Sequence, residues 1–144
     1  MDQPIFLVVD QSTSATKAML FSEGGELLEQ AARPHRQIYP QPGWVEHDAE
    51  EIYQNFLATA GDLLAGRPDL AAQVRSLSIS NQRETYVVFD RVTGKPLHNA
   101  VVWLCRRGEA LCRELAAAGH EGRVHELTGL KIDTYFPASK LAAL

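Results

Sequence analysis

Residues 5–21 read IFLVVDQSTSATKAMLF, in which a polar turn separates two apolar runs. The first run, residues 5–9, is short and continuously apolar, a pattern typical of a central strand that is covered on both faces. The second run, residues 18–21, is followed by a glycine-containing turn and then by residues 27–32, which can return as a third strand. Three strands in succession with no helix between them predict an antiparallel meander at the start of the chain.

Helices and further strands follow this meander. Asp48 can cap a helix and Glu51 can answer it in a capping-box arrangement, while Gly66 and Pro68 supply the stop. Further strands are predicted at residues 74–80, 86–89 and 100–103, and helices at residues 109–118 and 120–127. This order of elements predicts an α/β layer fold with a mixed sheet and flanking helices.

The composition narrows the class of protein. The chain has 144 residues, of which 45% are hydrophobic and 22% are charged, and its net charge is -4. That balance offers no basic surface for nucleic acid and no polybasic membrane anchor. No apolar run approaches the roughly 20 residues that span a bilayer, and the first residues lack the basic region of a signal peptide. A cytoplasmic enzyme with two reduced thiols, Cys105 and Cys112, is expected.

The last residues bear on domain organisation. Residues 139–144 are typical of the first turns of a helix, and they contain no Gly, Pro or cap that would end it. We therefore expect the sequence to be a fragment of a longer chain, forming one domain or a large piece of one.

The first candidate site is the polar turn from Asp10 to Lys17. Its hydroxyl groups and backbone N–H groups can bind an anion, and Lys17 adds a positive charge. Asp10 fits beside a phosphate only when a divalent cation, typically Mg²⁺, lies between them. The Walker A pattern is absent, and an ordinary polar hairpin is the alternative interpretation.

The second and third candidates are polar and aromatic side chains that follow strands. Arg83 and Glu84 lie in the polar run SNQRET, residues 80–85, where a donor fork and an acceptor could bind neighbouring hydroxyl groups. The aromatic rings of Trp103 and Tyr135 could cover the C–H face of a polyol. A solvated loop with a surface ion pair, and aromatic residues that merely pack in the core, are the alternatives.

Several segments, in this order along the chain, resemble the FGGY carbohydrate kinase family. The matching segments are residues 10–17, PGWVEHD at 42–48, NQRET at 81–85, TGKP at 93–96, NAVVW at 99–103, CRR at 105–107 and residues 128–136. NQRET is similar to the glycerol kinase branch of that family more than to the xylulose kinases.

The resemblance implies an actin-like, ribonuclease H-like fold of two domains around a cleft, in which the γ-phosphoryl group of ATP passes to a polyol hydroxyl. By this resemblance Asp10 is associated with Mg²⁺. The implied phosphate-binding residues are Thr13, Ser14, Ala15 and Lys17, and the implied polyol-binding residues are Arg83, Glu84, Trp103 and Tyr135. The catalytic base and the adenine pocket of the family lie beyond Leu144, so residues 1–144 are expected to be an incomplete first domain.

Departures from the family pattern leave alternatives open. Ser12 stands where the family usually has glycine, so a positive φ there would carry strain, and Ala15 and Lys17 replace a hydroxyl donor and a guanidinium. Phosphorylation of glycerol is the expected function, with another short polyol or a sugar as one alternative and a non-catalytic ligand-binding module as another. The small-molecule partners are the polyol and ATP. Family members are often dimers or tetramers, which leaves a homo-oligomer open.

Overall fold

The computed structural model describes residues 3–144, and these divide into two compact units. The first unit contains the residues up to Arg36 and Asp48–Gln82, and the second contains Gln37–His47 and Arg83–Leu144. The strands are β1 (Ile5–Gln11), β2 (Ala15–Ser22), β3 (Leu27–Pro34), β4 (Glu46–His47), β5 (Val74–Ser80) and β6 (Ala100–Val101). The helices are α1 (Ala49–Gly66), α2 (Pro68–Ala71), α3 (Glu109–Ala117), α4 (Glu121–Thr128) and α5 (Pro137–Ala142).

The first unit is built on a four-stranded mixed sheet in the order β3-β2-β1-β5. The pairs β1–β2 and β2–β3 are antiparallel, and β5 joins the other side of β1 in parallel. The predicted meander and mixed sheet are therefore confirmed. The register places Asp10 opposite Lys17 of β2 and opposite Ser80 of β5, so the polar turn and the end of β5 lie at the same edge of the sheet.

The core of the first unit lies on one face of the sheet. Along β1, Ile5, Leu7 and Val9 are buried, while the alternate residues are only half-buried. Helix α1 packs against the buried face through Ala60 and Leu63. The expected cover on both faces of residues 5–9 is only partial among the described residues of the first unit, because α1 packs on one face and the alternate residues of β1 are half-buried.

Helix α1 begins and ends where the sequence indicates. The Oδ1 atom of Asp48 accepts hydrogen bonds from the N–H groups of Glu50, at 2.9 Å, and Glu51, at 3.3 Å. The carboxylate of Glu51 accepts instead from the N–H of Arg36, at 2.7 Å, so the second half of the predicted capping box is replaced by a contact to the end of β3. The helix ends at Gly66, as predicted.

The second unit has little strand and three helices in its described residues. Strands β4 and β6 form an antiparallel pair. The predicted strand at residues 86–89 was wrong: Tyr86 and Phe89 form only isolated bridges, because the Asp90 side chain draws the next residues into a turn. Strand β6 is shorter than predicted because the N–H of Trp103 donates to a side chain, the Oγ1 of Thr85, and leaves the ladder.

The helices of the second unit pack closely at one point. Helices α3 and α4 match the predicted helices to within one residue at each end, whereas α5 begins at Pro137, earlier than expected, and ends at Ala142. A Cβ atom at Gly108 would lie 2.6 Å from the carbonyl carbon of Ser139, so only glycine fits where α3 begins against α5. Within residues 3–144 no helix is long and apolar enough to cross a membrane.

Candidate functional site

The turn between β1 and β2 is closed by the side chain of Ser12. Its N–H donates to the carbonyl of Ala15 at 3.0 Å, and its Oγ donates to the same carbonyl at 2.9 Å. Among residues 3–144, Glu84 is the one non-glycine residue with a positive φ, so Ser12 does not adopt the strained conformation that a glycine position could have imposed. The serine is therefore accommodated by a local hydrogen bond.

The polar groups of this turn are accessible to a ligand. Ser14 and Lys17 are exposed, and Asp10, Thr13 and Ala15 are half-buried. Hydroxyl groups, backbone N–H groups and one ammonium thus lie at the edge of the sheet where Asp10 ends the parallel pairing with Ser80. Such a set can bind phosphate oxygens, and Asp10 adds a carboxylate beside them.

A buried histidine supports this turn from behind. The N–H of His35 donates to the carbonyl of Ser14 at 2.8 Å, and its Nε2 lies 3.2 Å from the Oγ1 of the buried Thr16. Its Nδ1 lies 3.3 Å from Nδ2 of Asn55 on α1. Sequence reasoning missed this residue, since a single histidine after a strand has no spacing that marks it.

The burial of His35 predicts a pH dependence of stability. Burial lowers the pKa of His35, although the Glu51 carboxylate opposes the shift. The unfolded chain then binds a proton before the folded chain does, so the free energy of unfolding should fall as the pH drops through about 6.5. Urea unfolding of the full-length protein at pH 7.5 and 5.5 measures this loss. The variant His35→Gln should show a smaller loss, and an equal loss in both proteins would contradict the assignment.

Arg83 and Glu84 lie at the start of a segment that is hydrogen-bonded to residues 101–103. The Thr85 hydroxyl accepts from the N–H of Trp103 at 3.2 Å, and Tyr86 exchanges two backbone hydrogen bonds with Val101, at 3.2 and 3.0 Å. Glu84 is half-buried and has a φ of 66°. A non-glycine residue in this left-handed region costs roughly 1–3 kcal/mol and is often found at ligand sites.

Two aromatic rings meet in the same unit. The rings of Trp103 and Tyr135 lie edge to face, with centroids 5.7 Å apart and planes at 64°. The ring of Phe136 also lies edge to face with that of Tyr135, with a centroid distance of 5.2 Å. Tyr135 is 37% exposed, so part of the residue is accessible to a ligand. These rings form a partly exposed aromatic wall, which we call the Trp103–Tyr135 wall.

A buried ion pair joins β4 to the segment between β6 and α3. Glu46 and Arg107 are both buried, and Nη2 of Arg107 donates to Oε1 of Glu46. The amide of Asn99 donates to the other carboxylate oxygen at 2.9 Å, and the Arg107 guanidinium lies 4.2 Å from the ring centroid of Trp44. Burial alone would raise the pKa of Glu46, but the hydrogen bonds from Asn99 and Arg107 outweigh it and hold the pKa below its usual range.

The nine predicted site residues are divided between the units. Asp10, Thr13, Ser14, Ala15 and Lys17 lie together in the first unit. The second unit contains Arg83, Glu84, Trp103 and Tyr135. The hydroxyl of Thr85 accepts a hydrogen bond from the N–H of Trp103, and the ring of Trp103 contacts that of Tyr135. Arg83, which precedes Glu84 in the chain, is exposed. A cleft shared by both groups remains a prediction.

Comparison with known proteins decides the family. The sequence profile of the FGGY family of carbohydrate kinases, N-terminal domain, matches residues 5–144. The chain belongs to the FGGY family. Glycerol kinase 1 of Thermotoga maritima is 46% identical over 135 residues, which cover 94% of this chain and 27% of that protein. Glycerol kinase of Paracidovorax citrulli is 50% identical with the same coverage.

Solved structures of FGGY kinases share the fold. Plasmodium falciparum glycerol kinase with ADP matches with a TM-score of 0.84 and 36% identity, over 96% of this chain and 28% of that chain. Xylulose kinase of Lactobacillus acidophilus matches with a TM-score of 0.87 and 18% identity, over 98% of this chain and 28% of that chain, which shows the fold alone. The expected actin-like α/β class is confirmed. The FGGY chain spans about 27% of the length of the curated relatives it matches.

Proposed function

We propose that the protein containing this chain transfers the γ-phosphoryl group of ATP to a polyol, and that glycerol, which becomes glycerol 3-phosphate, is its substrate. The observation that carries the proposal is the arrangement around Trp103, whose N–H donates to the hydroxyl of Thr85, the residue after Glu84, and whose ring contacts that of Tyr135. It occurs in a chain that is 46–50% identical to proteins named glycerol kinase.

The second unit supplies groups of the right chemistry for a polyol. The Glu84 carboxylate can accept hydrogen bonds from hydroxyl groups, and the Arg83 guanidinium can donate to them. The Tyr135 hydroxyl adds a further polar contact, while the Trp103 ring excludes water from one side of the carbon chain. Together these groups would orient a hydroxyl group for in-line attack, which is the main task of a protein in phosphoryl transfer.

The first unit supplies groups for the phosphates. The hydroxyl groups of Thr13 and Ser14 and the ammonium of Lys17 can donate to phosphate oxygens, whereas the backbone N–H of Ala15 donates to the Oγ of Ser12 at 3.3 Å. Ser14 is held by His35 through its carbonyl, at 2.8 Å, which keeps the turn fixed before the ligand arrives. A preorganised turn of this kind stabilises charge without rearranging during the reaction.

Magnesium fits the residues that are present. Mg²⁺ usually keeps several waters and takes one or two protein carboxylates together with substrate phosphates. Among residues 3–144 no group of three or more His, Cys, Asp or Glu side chains could hold a metal ion, whereas Asp10 offers one half-buried carboxylate beside the turn. A bound Mg²⁺ would neutralise charge on the phosphates. Asp10 would orient its water ligands.

The complete reaction needs parts outside these residues. The catalytic base and the adenine pocket are predicted to lie beyond Leu144, so residues 1–144 form an incomplete first domain in this proposal. The chain by itself should then bind polyol weakly and show no useful turnover. A cytoplasmic location and assembly into a dimer or tetramer remain predictions.

A coupled ADP-release assay on the full-length protein tests the proposed function. Glycerol, other short polyols and several sugars are compared with Mg·ATP, and glycerol should give the highest kcat/KM. A higher value for another substrate would instead identify a related kinase, which the Ser12, Ala15 and Lys17 departures keep open. Ligand binding without ADP release would favour a non-catalytic module, and failure on every polyol and sugar would remove the kinase assignment.

Glu84 is expected to lower the free energy of unfolding through its backbone conformation and to raise the affinity for the polyol through its carboxylate. The variant Glu84→Gly removes the strain of the positive φ, so its free energy of unfolding should exceed that of Glu84→Ala by about 1 kcal/mol, while polyol affinity falls about tenfold or more in both. Glu84→Ala is the matched control, because it loses the same carboxylate but keeps a Cβ atom. Urea unfolding and glycerol titration measure the two effects. Equal stability of the two variants would show that the backbone is not strained.

A further inference from the structure

Lys140 is a lysine with no solvent-accessible surface, on helix α5. Its Nζ donates to the carbonyl oxygens of Trp103 and Tyr135, at 3.1 Å each, and lies 3.5 Å from that of Val102. Lysine has three N–H donors and no acceptor, so three carbonyl oxygens match its donors in number. The described contacts of this ammonium therefore join the backbones of two residues in the predicted polyol site.

The charge of Lys140 is costly to bury. A buried ammonium is tolerated when it is hydrogen-bonded, and the ion pairs among residues 3–144 include no carboxylate bonded to it. Burial lowers the pKa of Lys140, and the nearby charge of Arg107 lowers it further. Three groups oppose this shift, namely Cys105, Glu84 and Asp133. Lysine is usually exposed, but Lys140 is fully buried, and the Glu84 carboxylate favours its charged form.

The two carbonyl contacts of Lys140 join the backbones that carry the rings of Trp103 and Tyr135. Trp103 follows β6 and Tyr135 precedes α5, so their backbones come from segments that are far apart in the sequence. Their rings meet edge to face at 5.7 Å. Because the same ammonium binds both carbonyls, it sets the spacing of the two backbones from which the rings of the Trp103–Tyr135 wall project.

We propose that Lys140 is a positioning residue for the polyol site. It holds the Trp103–Tyr135 wall at the spacing that a short polyol needs. This inference rests on the proposed function. It assigns a role in substrate binding to a residue that touches neither the polyol nor the phosphates.

Two substitutions in the full-length protein separate positioning from plain stability. Lys140→Met keeps length and volume but leaves the carbonyls of Trp103 and Tyr135 without this donor, and the KM for glycerol should rise about tenfold or more. Lys140→Gln keeps two N–H donors, and the rise should be smaller. The KM for ATP should stay within about twofold of wild type in both, since the phosphate residues lie in the other unit.

The control is a core truncation that destabilises the protein elsewhere. Leu63→Ala, in the core of the first unit, should lower the melting temperature without changing the KM for glycerol. All variants are assayed well below their melting temperatures, and glycerol binding is also measured by calorimetry without ATP. A rise in the KM and the Kd for glycerol that follows the order Met above Gln, and is absent in Leu63→Ala, supports the positioning role.

Failure of this inference differs from failure of the proposed function. If wild-type protein phosphorylates glycerol but Lys140→Gln and Lys140→Met keep its KM, Lys140 only stabilises the fold and the inference is overturned. Lys140→Gln decides the matter alone if Lys140→Met does not fold. If the wild-type protein phosphorylates no polyol, the proposed function falls and the positioning role falls with it.

Discussion

Replacing Asp10 with alanine in the full-length protein is expected to lower kcat for glycerol phosphorylation by about 100-fold or more. Asp10 is the carboxylate at the edge of the sheet where the polar turn begins, opposite Lys17 and Ser80. In the proposed site it orients the hydrated metal beside the phosphates. The KM for glycerol should change little, because the predicted polyol residues lie in the second unit. Steady-state kinetics at saturating Mg²⁺ measure both constants.

The control for Asp10 is a carboxylate of the first unit that lies beyond the opposite end of β2. Glu23 is exposed in the turn that joins β2 to β3, and Glu23→Ala should leave kcat unchanged. Asp10→Asn should also be impaired, since the amide keeps the shape but loses the charge. If Asp10→Ala retained wild-type kcat at limiting and saturating Mg²⁺, Asp10 would have no role in phosphoryl transfer.

Removing Glu46 is expected to destabilise the protein by about 3–5 kcal/mol, the range for breaking a buried ion pair. The side chains of Arg107 and Glu46 are 0% and 4% exposed, and Asn99 completes the network. Glu46→Ala would leave the Arg107 guanidinium buried without its carboxylate. Urea unfolding at neutral pH, with guanidinium salts avoided because they screen charge, measures the loss.

A surface pair in the same unit is the matched control. Arg106 and Glu109 are joined at 2.8 Å, but their side chains are 63% and 44% exposed. Glu109→Ala should therefore cost at most about 1 kcal/mol. The double variant Glu46→Leu, Arg107→Met should recover much of the loss, because apolar residues of similar volume can replace a buried pair. Equal losses for Glu46→Ala and Glu109→Ala would show that burial does not strengthen the network.

The regular elements of the first unit could be predicted because local signals agree with the packing. The apolar runs at residues 5–9 and 18–21 have the length and the flanking turns of strands, and Asp48 and Gly66 mark the ends of α1. The strand predictions at residues 86–89 and 100–103 failed where a side-chain hydrogen bond replaces backbone pairing between strands. Asp90 turns the chain after Phe89, and Thr85 takes the N–H of Trp103, and neither contact leaves a trace in hydrophobic periodicity.

The candidate site could be predicted only in part. Runs of hydroxyl and charged residues after strands indicated the turn at Asp10 and the segment at Glu84, and the family resemblance assigned their roles. The positive φ of Glu84 and the burial of Lys140 could not be predicted, because each depends on contacts between distant segments. A lysine between Ser139 and Leu141 is indistinguishable in sequence from a surface lysine of a short helix.

A crystal structure of the full-length protein with glycerol and Mg·ADP would show where each ligand binds. Glycerol hydroxyl groups are predicted within hydrogen-bond distance of Arg83, Glu84 and Tyr135, with its carbons against the Trp103 ring. The nucleotide phosphates should lie against the turn at residues 13–17, in the same cleft. Glycerol bound elsewhere, with Arg83 and Glu84 directed away from the phosphates, would contradict the assignment of this chain as the polyol-binding part of a kinase.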